Sequence, residues 1–476
     1  GDIYRVDDEG DGDFLSIQTA IDNAQPGDTI EVYSGHYEEN IIIQQPQLTI
    51  KGILYELGSG TDTDHPVIIG LGSEDVISIN AEETILSNFI IQNSGTDYFN
   101  AGIGIYKDNN RIKANGITGN FYGIVINNCS QNTIKQNYIL SNTMDGIYLF
   151  YTKQNTITSN TIKENGFQGI YMQETRWNQI EENTISLNGK DGIHLRDKCI
   201  DNIIEKNTIS SNDIDGIKSF FNENTNNLIK KNNIFSNGWN GIHFLFGEKN
   251  EIVENEIELN LLNGIHFGES DDNTIIKNTI KENQNEGIMI LFDTSTNNNI
   301  YYNNIISDNA VDYGDNNWDN GANGGNYWSY YSGNDNDGDG FGDTPYVISG
   351  SDNQDNYPFM NKLIAPGIPQ RPRGPTLGSK GETYSYTTQA STNNQVQFGW
   401  DWDGDQIVDE WTDFYDSNDP CTTSHIWETN GSYQIYVKAM DRYGFQSDWS
   451  DALSVTMPKY GLRFYDFLNQ HPVIIK

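Results

Sequence analysis

The chain has 476 residues, with 67 acidic and 28 basic side chains, and its formal net charge is −39 at pH 7. Such a charge excludes binding to nucleic-acid phosphates or anionic membranes, because both require clustered Lys and Arg. Hydrophobic residues form 36% of the chain, which is enough for a packed core. No apolar run reaches the roughly 18 residues of a membrane-spanning helix. Metal cations, neutral glycans and basic proteins are the partner classes that remain.

The N-terminal region, residues 1–100, is predicted to hold a cap helix and the first irregular turns of a solenoid. In segment 14–24 the apolar residues recur on one helical face, and Asp13 precedes them as the expected N-cap. Because the chain begins with Gly rather than Met, we expect an exported protein whose signal peptide has been removed. The apolar residues of the helix are Ile17, Ala20, Ile21 and Ala24.

Residues 101–311 carry a repeat of about 23 residues. Each repeat holds a Gly-Ile pair and three short β-branched segments, separated by Asn, Gly, Ser and Asp. These segments are too short for helices, and three per repeat predict an all-β fold, a parallel β-helix with turns about 4.8 Å apart. A leucine-rich repeat, the rival solenoid, requires a Leu frame that this chain lacks. The Gly-Ile pairs begin at Gly102, Gly123, Gly146, Gly169, Gly192, Gly216, Gly241, Gly264 and Gly287.

Asparagine is concentrated between the strands of this repeat, as at Asn160, Asn183 and Asn207. We expect these asparagines to form the corners of the solenoid, because the residue tolerates a left-handed backbone. Their amides are also expected to bond to the asparagine of the next turn.

One side chain of each Gly-Ile strand is predicted to point outward. Since side chains alternate across a strand, the Ile points inward and the next residue outward. Aromatic and imidazole rings aligned in this way can stack on sugar rings, which predicts ligand binding by Tyr148, Tyr171, His194, Lys218, His243 and His266. The whole outward row is Gly104, Val125, Tyr148, Tyr171, His194, Lys218, His243, His266 and Met289.

If the chain is an enzyme, the same row supplies its catalytic candidates. A polysaccharide lyase or epimerase needs a cation to neutralise a uronate carboxylate and a base to remove the C5 proton. The candidates are Asp191, His194 and Arg196, which lie within six residues, together with His243 and His266. The alternative is an ordinary exposed sheet face, and no catalytic motif typical of alginate epimerases or pectate lyases is present.

Residues 312–361 are predicted to form the C-terminal cap of the solenoid, with an acidic loop that binds calcium. Carboxylates at positions 1, 3, 5 and 9 and a Gly at position 6 match the start of an EF-hand-like loop, although position 12 is Tyr346 rather than Glu. The predicted ligands are Asp335, Asp337, Asp339, Asp343 and the carbonyl of Phe341. A weaker candidate is formed by Asp401, Asp403, Asp405 and Asp409, for which the alternative is the edge of a hairpin.

A Pro- and Gly-rich linker is predicted over residues 362–380, and a β-sandwich over residues 381–458, followed by an apolar tail over residues 459–476. Tyr433, Ile435 and Val437 alternate on one face of a predicted strand. The three cysteines, Cys129, Cys199 and Cys421, have no spacing typical of a zinc site or disulfide framework, so buried thiols are expected. Asn128 and Asn430 begin glycosylation sequons.

Several motifs resemble known families. The stretch from Asp13 to Val32, the Gly-Ile and Asn-Thr-Ile repeats and the motifs within 325–346 resemble NosD-type right-handed parallel β-helix proteins of exported archaeal and bacterial origin. Residues 397–405, Ser424–Trp427, Gly431–Asp441 and Trp449–Asp451 resemble a PKD-type immunoglobulin-like domain. The first resemblance implies the fold, and the NosD-type family includes members that bind or hydrolyse carbohydrate. The second resemblance implies a spacer or adhesion module on a surface protein.

Two functional hypotheses follow. The first is an extracellular structural or adhesion protein, a calcium-stabilised rod in a cell-envelope, sheath or filament assembly, whose partners are copies of itself or other envelope proteins. The second is a β-helix protein that binds or modifies a polysaccharide through the outward row. Neither hypothesis includes a membrane span or a nucleic-acid partner.

Overall fold

The computed structural model describes residues 1–58, 60–221 and 223–457, so the predicted tail at 459–476 lies outside the described residues. The chain divides into two compact units, Gly1–Lys362 and Leu363–Lys476. The described residues of the first unit form three parallel sheets of 13, 13 and 12 strands, named here sheets 1, 2 and 3. The predicted all-β parallel β-helix is confirmed.

Each turn of the solenoid contributes one strand to each sheet in the order 1, 2, 3. Sheet 1 comprises Ile3–Val6, Thr29–Val32, Thr49–Gly52, Ile85–Ser87, Arg111–Lys113, Thr133–Lys135, Thr156–Thr158, Gln179–Glu181, Ile203–Glu205, Leu228–Lys230, Glu251–Val253, Thr274–Ile276 and Asn299–Tyr301. Sheet 2 comprises His36–Glu38, Val67–Ile69, Ile90–Gln92, Gly116–Thr118, Tyr138–Leu140, Thr161–Lys163, Thr184–Ser186, Thr208–Ser210, Asn233–Phe235, Glu256–Glu258, Thr279–Lys281, Asn304–Ile306 and Tyr327–Trp328. Sheet 3 comprises Ile41–Ile43, Ile77–Ile79, Ala101–Ile105, Tyr122–Asn127, Ile147–Phe150, Ile170–Gln173, Ile193–Arg196, Ile217–Phe220, Ile242–Leu245, Ile265–Gly268, Ile288–Ile290 and Ala310–Asp312.

The core of the solenoid is a set of isoleucine columns. In sheet 1, for example, Ile157 pairs in register with Ile180, and Ile180 pairs with Ile204, and all three side chains are fully buried. Each sheet has such a column, because one position of every strand points inward. Burying an aliphatic side chain stabilises the fold by about 1.5–3 kcal/mol, so the stacked columns are the main apolar contribution to stability.

Three asparagine ladders run along the corners of the solenoid. Asn183 is typical: its Nδ2 donates to the Ile157 carbonyl at 2.8 Å and to Asn207 Oδ1 at 3.0 Å, and its own Oδ1 accepts from the backbone N–H and Nδ2 of Asn160. The predicted bonding between asparagines of successive turns is therefore confirmed. Each ladder satisfies backbone groups that a short strand leaves unpaired at its ends.

Each ladder ends on an aspartate at the C-terminal end of the solenoid. Asn283 donates to Asp308, Asn326 donates to Asp355, and Asn316 donates to the third aspartate, Asp312. A terminal residue has to accept hydrogen bonds without passing them on, and a carboxylate offers only acceptors. Burial raises the pKa of Asp308 to about 6 and that of Asp355 to about 7.

The expected left-handed backbone at the ladder asparagines is wrong. The residue before most of them has the positive φ instead, such as Ser159 at 56°, Glu182 at 56° and Leu187 at 57°. These residues share no side-chain chemistry, so the corner conformation is imposed by the fold. Asparagine is required for its side-chain hydrogen bonds and not for its backbone freedom.

The predicted cap helix extends over Ile17–Asn23 and buries Ile17, Ala20 and Ile21. Its N-cap is Ser16 and not Asp13: the Ser16 hydroxyl accepts from the Thr19 backbone N–H at 3.3 Å. Asp13 lies too far before the first turn, and its Oδ2 accepts from the Arg5 backbone N–H at 2.9 Å instead. A 3₁₀ turn, Gly321–Asn323, and the antiparallel pair Tyr346–Val347 and Gln354–Asp355 lie in the C-terminal cap region.

The second unit is a small antiparallel β-sandwich around Tyr386, Trp400 and Trp427. Much of the predicted linker, 362–380, lies against this unit, where the Arg373 backbone N–H donates to the Thr387 carbonyl at 2.9 Å. The strands are Thr383–Thr388 paired with Cys421–Ile426, and Glu410–Trp411, Val396–Asp401, Gly431–Asp441 and Leu453–Met457 in a second sheet.

We predict that Asn183→Ala lowers the free energy of unfolding by about 2–4 kcal/mol, because it leaves the Ile157 carbonyl and both donors of Asn160 without their partner. Urea-induced unfolding followed by circular dichroism measures this change. The control is Gln179→Ala, which removes an exposed amide from the same turn and is expected to be nearly neutral. Equal effects of the two substitutions would contradict the role given to the ladder.

Candidate functional site

The predicted outward row lies on adjacent strands of sheet 3. The register pairs Tyr148 with Tyr171, Tyr171 with His194, and His194 with Lys218. Lys218 in turn pairs with His243, and His243 with His266. The alignment follows from the Gly-Ile repeat, while the ligand-binding role of these side chains stays a prediction.

Aromatic side chains cover the N-terminal end of this row. Val125 and Tyr148 are buried in an apolar cluster outside the solenoid, where Phe99 stacks on Tyr148 at a ring-centroid distance of 5.5 Å. The Tyr148 hydroxyl is used internally and donates to Gln173 Oε1 at 3.1 Å. Tyr148 therefore supports the wall of the site more than it presents a face for stacking.

Beside this cluster the row opens into a groove of about 550 Å³. Its wall carries three cationic side chains, Lys190, Arg196 and Lys218, in a molecule whose net charge is −39. Such a concentration of positive charge favours an anionic ligand. Tyr148, Tyr171 and His194 of the predicted row also line the groove, whereas His243 and His266 lie beyond it.

Arg196 is held in place by two aromatic rings. Its Nη1 donates to the Tyr171 hydroxyl at 3.0 Å, and its guanidinium carbon lies 5.0 Å from the centre of the Phe221 ring. Burial raises the pKa of Tyr171, and the neighbouring Arg196 acts in the opposite direction. The planar guanidinium keeps further N–H donors that suit a carboxylate.

Asp191 and His194 form a hydrogen-bonded pair on the floor of the groove. His194 Nδ1 lies 2.9 Å from Asp191 Oδ2, and Asp191 Oδ1 accepts from the Asp215 backbone N–H at 3.1 Å. His194 Nε2 is buried in this structure and has no hydrogen-bond partner among the described residues, so a substrate reaches it only if the side chains around it move. A carboxylate on Nδ1 fixes the imidazole tautomer and leaves Nε2 as a proton acceptor.

One turn further along, Asp215 bonds to His243 of the following turn, and Lys218 holds the position equivalent to His194. His243 Nδ1 lies 2.9 Å from Asp215 Oδ2, and Lys218 Nζ lies 3.4 Å from the same oxygen. Burial acts to raise the pKa of Asp215, but His243 and Lys218 outweigh it and the pKa is lowered. His266 stacks on His243 at 4.7 Å, and burial lowers the pKa of His266 to about 4. Asp215 therefore holds the Lys218 ammonium group in place through an ion pair.

Asp145 lies at the apolar end of the groove. Its Oδ1 accepts from the Gln168 backbone N–H at 2.9 Å, and the residue is buried. Burial raises the pKa of Asp145 to about 7. Asn240 occupies the equivalent place in a later turn and accepts from the Asn263 backbone N–H, so the position needs an acceptor and not a charge.

Several residues of the groove lie outside the predicted outward row. Phe167 and Lys190 stand two positions before the Gly of the repeat, and Lys190 lies over the Phe167 ring at 3.9 Å. The constant spacing from Gly169 and Gly192 was a usable signal for them. Tyr98 comes from an irregular segment, and nothing in the repeat indicated it.

The predicted calcium loop brings three of its ligands together. One ligand oxygen each from Asp335, Asp337 and Asp339 lie within 4.8 Å of one another. Asp343 is not part of this group, and its Oδ2 accepts from the Asn336 backbone N–H at 3.0 Å.

In the second unit, Asp401, Asp403 and Asp409 form a similar group of acidic side chains. Asp405 is not part of this group, and its Oδ1 accepts from the Ile407 backbone N–H at 2.8 Å. Both groups use oxygen ligands, which suit calcium.

Comparison with known proteins supports the fold of the solenoid. Residues 63–237 match the family described as "Periplasmic copper-binding protein (NosD)", and residues 168–330 match the family described as "Right handed beta helix region". The solenoid is a parallel β-helix, and part of it resembles NosD proteins. No curated protein matches the sequence of this chain.

Solved structures share the fold of the solenoid. The A-module of mannuronan C-5 epimerase AlgE6 from Azotobacter vinelandii is 15% identical over 63% of this chain and 92% of the module, with a TM-score of 0.53. DFA-IIIase from Arthrobacter chlorophenolicus A6 without its lid is 14% identical over 64% of this chain and 95% of its own, with a TM-score of 0.50. At this identity the likeness shows the fold alone.

The C-terminal unit resembles a PKD-type domain. It is similar to the PKD domain of an M14-like peptidase from Thermoplasmatales archaeon SCGC AB-540-F20, with 36% identity over 20% of this chain and 98% of that domain. The TM-score of that match is 0.19, and the resemblance lies in the sequence.

The described residues of the solenoid do not offer a copper site in the outward row. The rings of His243 and His266 are parallel within 8°, so they stack instead of converging on one ion. No third His, Cys, Asp or Glu joins them in a cluster within the described ranges. Cys129 and Cys199 are buried and hydrogen-bonded to backbone carbonyls.

None of the helices in the described part of the chain has the length and apolar character to cross a membrane.

We predict that Asp145→Asn raises the melting temperature by several degrees at pH 8 and by little at pH 4. Unfolded Asp ionises near its ordinary pKa of 3.8, whereas Asp145 in the folded protein keeps its proton up to about pH 7. The native protein therefore loses stability as the pH rises from about 4 to 7, because the unfolded chain releases this proton more readily than the folded chain does. Asparagine has no proton to release, and its side-chain oxygen still accepts the hydrogen bond from the Gln168 backbone N–H. Thermal melts at both pH values, with the exposed Asp213→Asn as control, test this. A gain that does not depend on pH would contradict the account.

Proposed function

We propose that this protein binds an anionic polysaccharide in the groove of sheet 3 and acts on its uronate residues. The observation that carries the proposal is the arrangement of the Asp191–His194 pair beside the Arg196–Tyr171 pair. Together they supply a carboxylate-binding cation, a base and a phenol within one groove.

The chemistry follows from the acidity of the uronate C5 proton. Arg196 binds the sugar carboxylate and stabilises the charge that develops on it when the C5–H bond breaks. His194 Nε2 takes the proton, and Asp191 stabilises the resulting imidazolium. Tyr171, which lies beside His194 on the same face of sheet 3, then donates a proton to the leaving O4, which gives an unsaturated product and a broken chain. Return of a proton from water to the other face of C5 gives an epimer instead.

The comparisons support this proposal over an assembly role. Both structural neighbours described above are named as enzymes, and one is a mannuronan C-5 epimerase. The family name places NosD in the periplasm, which supports export of this chain. Self-association and binding to envelope proteins stay predictions that nothing in the groove requires.

We predict that Arg196→Ala weakens binding of oligouronates about tenfold or more, because it removes a charge-assisted hydrogen bond worth about 1.5–3 kcal/mol. His194→Ala is expected to keep this affinity and to abolish release of epimerised or unsaturated products. Isothermal titration calorimetry measures the affinity, and NMR or ultraviolet absorbance of the products measures the turnover.

The matched control for the first substitution is Lys198→Ala, which removes one positive charge from an exposed position outside the groove. It is expected to leave the affinity unchanged. Equal losses for Arg196→Ala and Lys198→Ala would show a nonspecific charge effect and would contradict the proposed site. Unchanged turnover in His194→Ala would contradict the role of the base.

We also propose that the loop around Asp335, Asp337 and Asp339 binds calcium. The convergence of three carboxylates and the backbone turn closed by Asp335, whose Oδ1 accepts from the Gly338 N–H at 2.7 Å, support this. Extracellular sites of this kind have Kd values on the order of 0.1–1 mM.

We predict that Asp337→Asn lowers the number of bound calcium ions by about one per chain. It is also expected to remove calcium-dependent protection from hydrogen exchange in residues 335–343. Equilibrium dialysis and hydrogen-exchange mass spectrometry measure the two effects, with the exposed Asp315→Asn as control. If the loop exchanges at the same rate with calcium and with a chelator, this calcium proposal is wrong.

A further inference from the structure

A second set of acidic side chains lies at the N-terminal end of the solenoid, away from the groove and from the loop at 335–343. Ligand oxygens of Asp7, Glu9 and Glu56 lie within 4.8 Å of one another, and so do those of Asp8, Glu9 and Asp62. Glu9 belongs to both groups. In the described part of the chain none of these five side chains forms an ion pair with Lys, Arg or His.

Asp7 gives an independent indication of a ligand. Its side chain is 0% exposed, and although Oδ2 accepts from the Asp11 backbone N–H at 2.9 Å, Oδ1 is buried with no hydrogen-bond partner among the described residues. Asp8 Oδ1 is buried and unpartnered in the same way. A buried carboxylate oxygen without a partner is costly unless a cation compensates for it.

Backbone hydrogen bonds hold the other oxygens of the cluster in place. Asp8 Oδ2 accepts from the His36 N–H at 3.0 Å, and Glu56 Oε2 accepts from the Asp62 N–H at 3.2 Å. The cluster thus joins the N-terminal segment to the later segment that contains Glu56 and Asp62.

We propose that this cluster is a calcium site that fastens the segment Glu56–Asp62 to the segment Asp7–Asp11. All the ligands are carboxylate oxygens, which are hard donors that select calcium over softer transition metals. Calcium–oxygen distances of about 2.3–2.6 Å place oxygens on opposite sides of one ion roughly 5 Å apart, so each group of three can surround an ion. Glu9 bridges the two groups.

The structural consequence is a closed N-terminal end. Val6 pairs with Val32 in sheet 1 and is fully buried, so the acidic segment continues directly from the first strand of the solenoid. Calcium on Asp7 and Glu56 therefore holds this first strand against the next turns. The proposal does not depend on the polysaccharide groove.

The experiment uses the full chain with the double variant Glu9→Gln/Glu56→Gln, and compares it with Asp335→Asn/Asp337→Asn and with the exposed control Asp22→Asn. Calcium binding is measured by isothermal titration calorimetry, and hydrogen exchange is measured in residues 7–11 and 56–62. We expect the N-terminal variant to lose at least one calcium ion per chain and the calcium-dependent protection of both segments. The variant at 335 and 337 is expected to keep that protection.

The melting temperature gives a second test that does not require counting the calcium ions at each site. In a chelator, Glu9→Gln/Glu56→Gln is expected to melt at the same temperature as the native chain or higher, because the substitutions remove repulsion. In millimolar calcium the order is expected to reverse. Unchanged calcium stoichiometry in this variant, or unchanged protection of residues 7–11 on addition of calcium, would overturn the proposal.

Discussion

The hydrogen bond between the side chains of successive asparagines is the interaction on which the rest of the structure depends. A three-residue strand such as Thr184–Ser186 cannot satisfy the backbone groups at its own ends. Asn183 and its counterparts in other turns bond to two neighbouring turns at once. Because each asparagine needs another at the same corner of the next turn, the ladders fix the register of the turns that they connect. The aspartates at the C-terminal end, such as Asp308, stop the chain of bonds.

The groove is a consequence of this register. Since every turn presents the same position outward, Tyr171, His194 and Lys218 become neighbours although about 23 residues separate them in sequence. The repeat is largely isoleucine inside and varied outside, where Tyr171, His194 and Lys218 occupy the same position in successive turns. Variation outside a constant core allows a solenoid to combine a base, a cation and a phenol on one face. The calcium sites proposed at both ends involve the irregular segments that the ladders do not reach.

The sequence predicted the fold and the outward row, and it missed the environment of that row. The 23-residue spacing of Gly-Ile pairs is a local pattern, and parallel stacking converts it directly into register. The burial of Tyr148 beneath Phe99 depends on an irregular segment that has no period, so the pattern contained no signal for it. The sequence predicts a left-handed backbone at the asparagines because this residue often adopts that conformation. In the structure the positive φ falls on neighbouring residues such as Leu187. The N-cap was misplaced because Asp13 and Ser16 are both good caps, and only the start of the helix at Ile17 distinguishes them.

The measurement that most directly tests the central claim is exchange of the uronate C5 proton with solvent deuterium. The full chain is incubated in D₂O with polymers of mannuronate, guluronate and galacturonate, and proton NMR follows the C5 signal. Removal of this proton precedes both epimerisation and chain cleavage, so the readout does not depend on which product forms. The account predicts loss of the C5 signal from at least one polymer with the native protein and none with His194→Ala. A C5 signal that stays constant while a polymer occupies the groove would contradict it.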